Sequence, residues 1–141
     1  MANYCRSPVA EVILSDLLGN EFEVRSAGIE PMLKPHMDPR SQKFLEDKMF
    51  SLKVHNPTKV GINDIMDSDL ILTLDPRVNR VISKTYPKFN YKYKLLNFIN
   101  PSQIISDPFL LEDLVTYNQC MEKIKRACED LSIFLKSNQD A

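Results

Sequence analysis

At 141 residues, 43% hydrophobic and 26% charged, the chain is long enough to bury one core and little more, so a single domain over residues 1–141 is expected. Eighteen basic against nineteen acidic residues leave a net charge of -1, which excludes a global field for nucleic acid or an anionic membrane and makes any anion site local. Three cysteines at irregular spacing fit reduced thiols better than a disulfide framework. With no basic-then-apolar leader and no apolar run near the roughly 20 residues of a membrane span, a cytoplasmic location without membrane contact is expected.

In chain order, Ser7 reads as an N-cap and Pro8 as a first-turn residue of a helix with Val9, Ile13 and Leu17 on one face and Gly19 as its stop. Phe22-Glu23-Val24-Arg25 alternates like a strand and runs into the turn-like Ser26-Ala27-Gly28. After a loop containing Pro31 and Pro35, Asp38-Pro39 predicts a cap and a helix carrying Phe44, Leu45 and Met49, followed by a short strand around Leu52 to Val54.

The run Leu70-Ile71-Leu72-Thr73-Leu74 is apolar on both faces, as suits a strand of a parallel sheet covered by helices. Asp75-Pro76 opens a helix through Val78, Val81 and Ile82, and Tyr93 to Phe98 supplies another strand. A last helix from about Leu111 to Ser137 places Leu114, Met121, Ile124, Cys128, Leu131 and Leu135 on one stripe. The alternation predicts an α/β fold, a small parallel sheet with helices on both faces, binding its ligand beyond the carboxyl ends of the strands.

Chemistry concentrates at Asn3-Tyr4-Cys5-Arg6-Ser7-Pro8. A loop entering a helix N-terminus offers unpaired N–H groups and the positive end of the helix dipole to a phosphate. Arg6 adds a planar fork able to take two phosphate oxygens at once. Taken alone, Cys5-Arg6-Ser7-Pro8 is also compatible with a solvated arginine and a small buried cysteine.

Together with Ala10-Glu11, this segment resembles the loop signature C-x-x-N-x-C-R-S-P-x-A-E of the low-molecular-weight protein tyrosine phosphatases. Further along, Arg25-Ser26-Ala27-Gly28, Asp38-Pro39-Arg40, Asp69-Leu70-Ile71-Leu72-Thr73-Leu74-Asp75 and Ser106-Asp107-Pro108-Phe109 resemble the family's later motifs in order. The resemblance implies a three-layer sandwich and a phosphoric monoester hydrolase acting on phosphotyrosine, in a phosphorylated protein or a small aryl phosphate, with no cofactor or metal and as a monomer. Arg6 and Asp107 are then the catalytic residues, Asp107 as general acid. Asn3, Tyr4, Cys5, Arg6, Ser7 and Phe109 form the substrate-binding loop and wall.

In that pattern the nucleophilic cysteine stands three positions before Asn3, immediately ahead of Met1, and Cys5 is a neighbouring thiol able to form a protective disulfide with it. The expectation is therefore of a chain lacking the first strand and the nucleophile, with Met1 an internal methionine, and inactive as written. Without that strand, the strands from Phe22 and Leu70 would each lack a neighbour.

Alternatives are a non-catalytic phosphate-binding pseudophosphatase and an arsenate reductase. The reductase relay implies further cysteines mid-chain, and Thr73 through Phe98 contains none. Tyr4 stands where arginine phosphatases of the family carry threonine, and Leu110 where many eukaryotic relatives have a second tyrosine. His36 and His55 lack the companions of a metal site. His55 reads as structural.

Overall fold

The computed structural model describes residues 2–52 and 54–138. Along it run α1 (Arg6–Leu18), α2 (Pro39–Asp47), α3 (Ile62–Asp67), β1 (Ile71–Thr73), α4 (Pro76–Thr85), β2 (Tyr93–Leu95) and α5 (Leu114–Asn138), with 3-10 segments at Gly19–Glu21 and Pro87–Lys92.

Local chemistry explains three of the helix ends. Asp38 caps α2 by accepting from the Arg40 N–H, and Asp75 caps α4 by accepting from the Val78 N–H, each with proline just inside the helix. Gly19 ends α1 at φ 69, a left-handed conformation that costs glycine nothing. The expected Ser7 cap is corrected: the N-cap of α1 is Cys5, two residues earlier, and no side chain caps the helix. Ser7 Oγ instead accepts from Asn3 Nδ2.

β1 and β2 pair in parallel, Ile71 opposite Tyr93 and Thr73 opposite Leu95, across the α4 connection that a parallel pair needs. Side chains alternate across β1. Leu72 and Leu74 pack on the large cluster of α1, α2 and α5, built on Val9, Ile13, Leu45, Met121 and Ile124. Ile71 packs the other way, against Ile65 of α3, Ile82 of α4 and Tyr93. Helices thus cover both faces, as the apolar run at Leu70 to Leu74 implied, and α5 lies along α1.

Several element predictions need correction. Residues 23–27 have no regular secondary structure, with Phe22 and Val24 half-buried and Glu23 and Arg25 exposed, so the alternation is real. No strand forms there, because the segment finds no ladder partner among the described residues, and the nearest pairing is an isolated parallel bridge from Gly28 to Lys59. Met49 lies beyond α2 at φ 64 and is exposed rather than packed. Leu52 and Val54 carry no strand, and Lys53, within that expected strand, lies outside the described residues. β2 stops at Leu95, where residues 96–99 turn, and α5 starts at Leu114, which is itself half exposed.

Between β1 and residues 22–27 lies a cavity of about 1040 Å³. Leu14 and Leu18 of α1, Leu131 and Leu135 of α5, Val24 and Leu72 line its apolar length. β1 is bonded along one edge only, to β2, among the described residues. The far end of the same cavity, beyond the carboxyl end of β1, is polar.

Candidate active site

The polar end of the cavity is lined by residues 3–7 together with Asp75, Asp107 and Phe109. All six expected substrate-site residues and the expected acid therefore meet at one place. Because no side chain caps α1, the N–H groups of its first turn keep their capacity for an anion, reinforced by the positive end of a 13-residue helix.

Arg6, 4% exposed, is the first residue of that helix. Nη2 donates to Asp75 Oδ2 at 2.8 Å and Nη1 to the Ile105 carbonyl at 3.2 Å. Two of the five guanidinium N–H groups are thus committed to holding the fork in place, and the others stay available to phosphoryl oxygens. Burial pushes the Asp75 carboxyl upward, but the Val78 N–H and the Arg6 guanidinium outweigh it and hold the group below its ordinary value.

Asn3 fixes the opposite side of the loop. Its backbone sits at φ 54, a left-handed conformation that asparagine tolerates better than most residues. Nδ2 donates to Ser7 Oγ at 2.8 Å and to Ser26 Oγ at 3.0 Å, while Oδ1 accepts from the Thr58 N–H at 3.1 Å. Ser26 in turn donates to Glu11 Oε1 at 2.8 Å, and His55 Nε2 bonds the Asn3 carbonyl at 2.8 Å. His55 has the structural place expected of it. Ser26 and Glu11, which the sequence offers only as parts of the family motifs, tie the loop to residues 22–27 and to α1.

Cys5 is buried, its Sγ 3.5 Å from Asp38 Oδ2. Loss of solvent, with the Asp38 charge adding to it, pushes this thiol up to about 12. It stays protonated at neutral pH and is a poor nucleophile. Cys120 and Cys128 are buried on α5.

Asp107 is exposed, and its Oδ1 accepts from the Phe109 N–H at 3.2 Å. The Phe109 ring meets Tyr4 edge-on, centroids 6.1 Å apart, so this side chain forms a wall of the cavity rather than part of the core. A phosphate at the end of α1 would have a guanidinium and helix amides on one side, a carboxyl group on the other, and two aromatic rings at the rim. Such a set can bind a phosphoryl group and protonate an aryl leaving group. Among the described residues no helix is long and apolar enough to cross a membrane.

Comparison with known proteins bears on what such a set serves. The family model described as "Low molecular weight phosphotyrosine protein phosphatase" matches residues 1–141. The chain is 28% identical over 109 residues to the probable low molecular weight protein-tyrosine-phosphatase AmsI of Erwinia amylovora, covering 77% of this chain and 75% of that protein. It is 30% identical over 88 residues to an arsenate reductase of Bacillus cereus, covering 62% and 63%. The crystal structure of the tyrosine phosphatase Wzb from Escherichia coli K30 with sulphate superposes with a TM-score of 0.88 at 24% identity over 96% of this chain and 93% of that one. That likeness shows a shared fold.

Proposed function

Because the chain belongs to the low molecular weight phosphotyrosine protein phosphatase family, we propose that its site hydrolyses phosphotyrosine, in a phosphorylated protein or a small aryl phosphate, through a phosphocysteine. The observation that carries the proposal is the placing of buried Arg6, at the uncapped start of α1, in one cavity with Asp107 and Phe109.

The chemistry follows from those positions. A thiolate attacks phosphorus, the P–O bond to the phenol breaks, and Asp107 delivers a proton to the departing oxygen. Arg6 and the first-turn amides of α1 hold the equatorial oxygens as charge builds on them. Water then attacks the phosphocysteine with Asp107 as base, releasing phosphate and the thiolate. The family's loop places the thiol three positions ahead of Asn3, outside these 141 residues. Cys5 adjoins Arg6 and is held protonated, which makes it unsuited to the part. Neutral overall charge supports a protein or small-molecule substrate over nucleic acid, and we read the protein as a cytoplasmic monomer.

The protonated state of Cys5 favours a second reading for the 141 residues by themselves, a phosphate-binding module without turnover. The likeness to an arsenate reductase keeps reduction of arsenate as a third, weakened by the lack of any cysteine from Thr73 through Phe98. With a cysteine supplied directly ahead of Met1, p-nitrophenyl phosphate should be hydrolysed, and Asp107→Asn should slow turnover roughly a hundredfold. Phosphate binding without hydrolysis would favour the second reading. Arsenate-dependent thiol oxidation would favour the third.

A further inference from the structure

Arg40 lies outside the phosphate loop, in the first turn of α2, yet its guanidinium reaches both sides of the site. Nε donates to Asp38 Oδ1 at 3.0 Å and Nη2 to Asp38 Oδ2 at 2.8 Å, a two-pronged carboxylate pair. Nη2 also donates to the Phe109 carbonyl at 3.1 Å, and Nη1 donates to the Leu111 carbonyl. The guanidinium carbon sits 4.0 Å from the centroid of the Tyr117 ring.

Asp38 continues the connection toward the phosphate loop. Its N–H donates to the Tyr4 carbonyl at 2.9 Å, and its carboxylate faces the Cys5 thiol. Residues 107–111 have no regular secondary structure, and most of them are exposed. Within them the turn is closed by the Leu111 N–H on the Pro108 carbonyl at 3.0 Å, which shapes the segment without fixing it to the rest of the molecule. Packing of buried Pro108 and the edge-on Tyr4–Phe109 contact hold the segment from one side, and the Arg40 contacts add hydrogen-bonded attachment of its backbone.

We propose that Arg40 is a positioning residue for the general acid: by gripping the Phe109 and Leu111 carbonyls from a base of Asp38 and Tyr117, it sets where Asp107 stands relative to Arg6. The proposal rests on the reading of Asp107 as the acid. It requires arginine specifically, because one ammonium cannot chelate a carboxylate and meet two separate carbonyls from one planar fork.

Two measurements on Arg40→Lys, which keeps the charge, test it. Amide hydrogen exchange by mass spectrometry should speed up roughly tenfold at residues 109–111 while α4 and the middle of α5 stay protected, as for a local release. In the chain carrying a cysteine ahead of Met1, hydrolysis of phenyl phosphate should fall roughly tenfold further than that of p-nitrophenyl phosphate, whose better leaving group depends less on an acid. Unchanged exchange at 109–111 overturns the proposal. Faster exchange with an equal fall on both esters leaves Arg40 a loop anchor and overturns its part in acid catalysis. If the cysteine-carrying chain with Arg40 intact hydrolyses neither ester, the phosphatase reading fails and the acid role with it, while exchange still decides whether Arg40 holds the loop.

Discussion

The Arg6 guanidinium and the Asp75 carboxylate meet at 2.8 Å across 69 residues of sequence, one at the first turn of α1 and the other at the cap of α4. Asp75 does two things at once. It anchors the Arg6 fork and it starts the helix that follows β1, so the proposed phosphate cradle is referenced to the carboxyl end of the sheet.

Asp75→Ala should therefore be costly. It strands a buried arginine and removes a helix cap, for a combined loss of about 3 kcal/mol in urea unfolding. Asp75→Asn, which keeps a cap acceptor, should recover about 1 kcal/mol of that. Equal stability of both variants with the parent would mean that the pair contributes nothing.

Asp38 and Asp75 both have carboxyl groups held below their ordinary value in the folded chain: burial opposes this, but Arg40 for the one, and Val78 with Arg6 for the other, prevail. A depressed folded value means that the unfolded chain binds protons first as pH falls. The stabilisation is present above the unfolded carboxylate range near pH 4 and is lost as pH drops through the folded values. Denaturation midpoints measured at pH 7, 5 and 3 should be similar at the first two and clearly lower at the third. A flat profile to pH 3 would contradict this.

All three cysteines are buried, and the Cys5 and Cys128 thiols are pushed upward chiefly by burial. Titration with Ellman's reagent at pH 7.5 should find no rapidly reacting thiol in the native 141-residue chain and three in denaturant. One fast native thiol that disappears in Cys5→Ser would show that Cys5 is more available than its contact with Asp38 implies.

Asn3 holds the loop through Ser7, Ser26 and Thr58. Asn3→Ala loses those bonds and keeps an unfavourable left-handed backbone, so phosphate affinity by calorimetry should fall about tenfold, equivalent to about 1.4 kcal/mol. Asn3→Gly removes the backbone strain without restoring the bonds, so an affinity equal to that of the parent would show that conformation, and not the side-chain ties, matters.

What the sequence made legible is what is local. Asp38-Pro39 and Asp75-Pro76 cap their helices because a cap needs only its own next turn. Residues 3–8 suggest an anion-binding loop by themselves, and the family resemblance needs Ala10-Glu11 and the later motifs in order as well. Phe22 to Arg25 shows the opposite case: its alternation correctly sorts inward from outward side chains, but a strand exists only with a neighbour, and the neighbour is not a local property. α3 is too short, at six residues, to carry a periodic signal, although Asp64 Oδ2 accepting from the Gly61 N–H is a local start signal. The Arg40 grip on the Phe109 and Leu111 carbonyls joins residues some 70 positions apart, and nothing in the local sequence at either end announces it.

The central claim is that Arg6, Asp107 and the start of α1 form a catalytic cradle served by a thiol directly ahead of Met1, and not by Cys5. The most direct test is p-nitrophenyl phosphate hydrolysis by the 141-residue chain beginning at Met1 and by the same chain extended with a short apolar strand ending in cysteine. The account predicts hydrolysis by the extended chain alone, abolished when the added cysteine is replaced by serine. Turnover by the chain beginning at Met1, lost on Cys5→Ser, would contradict it.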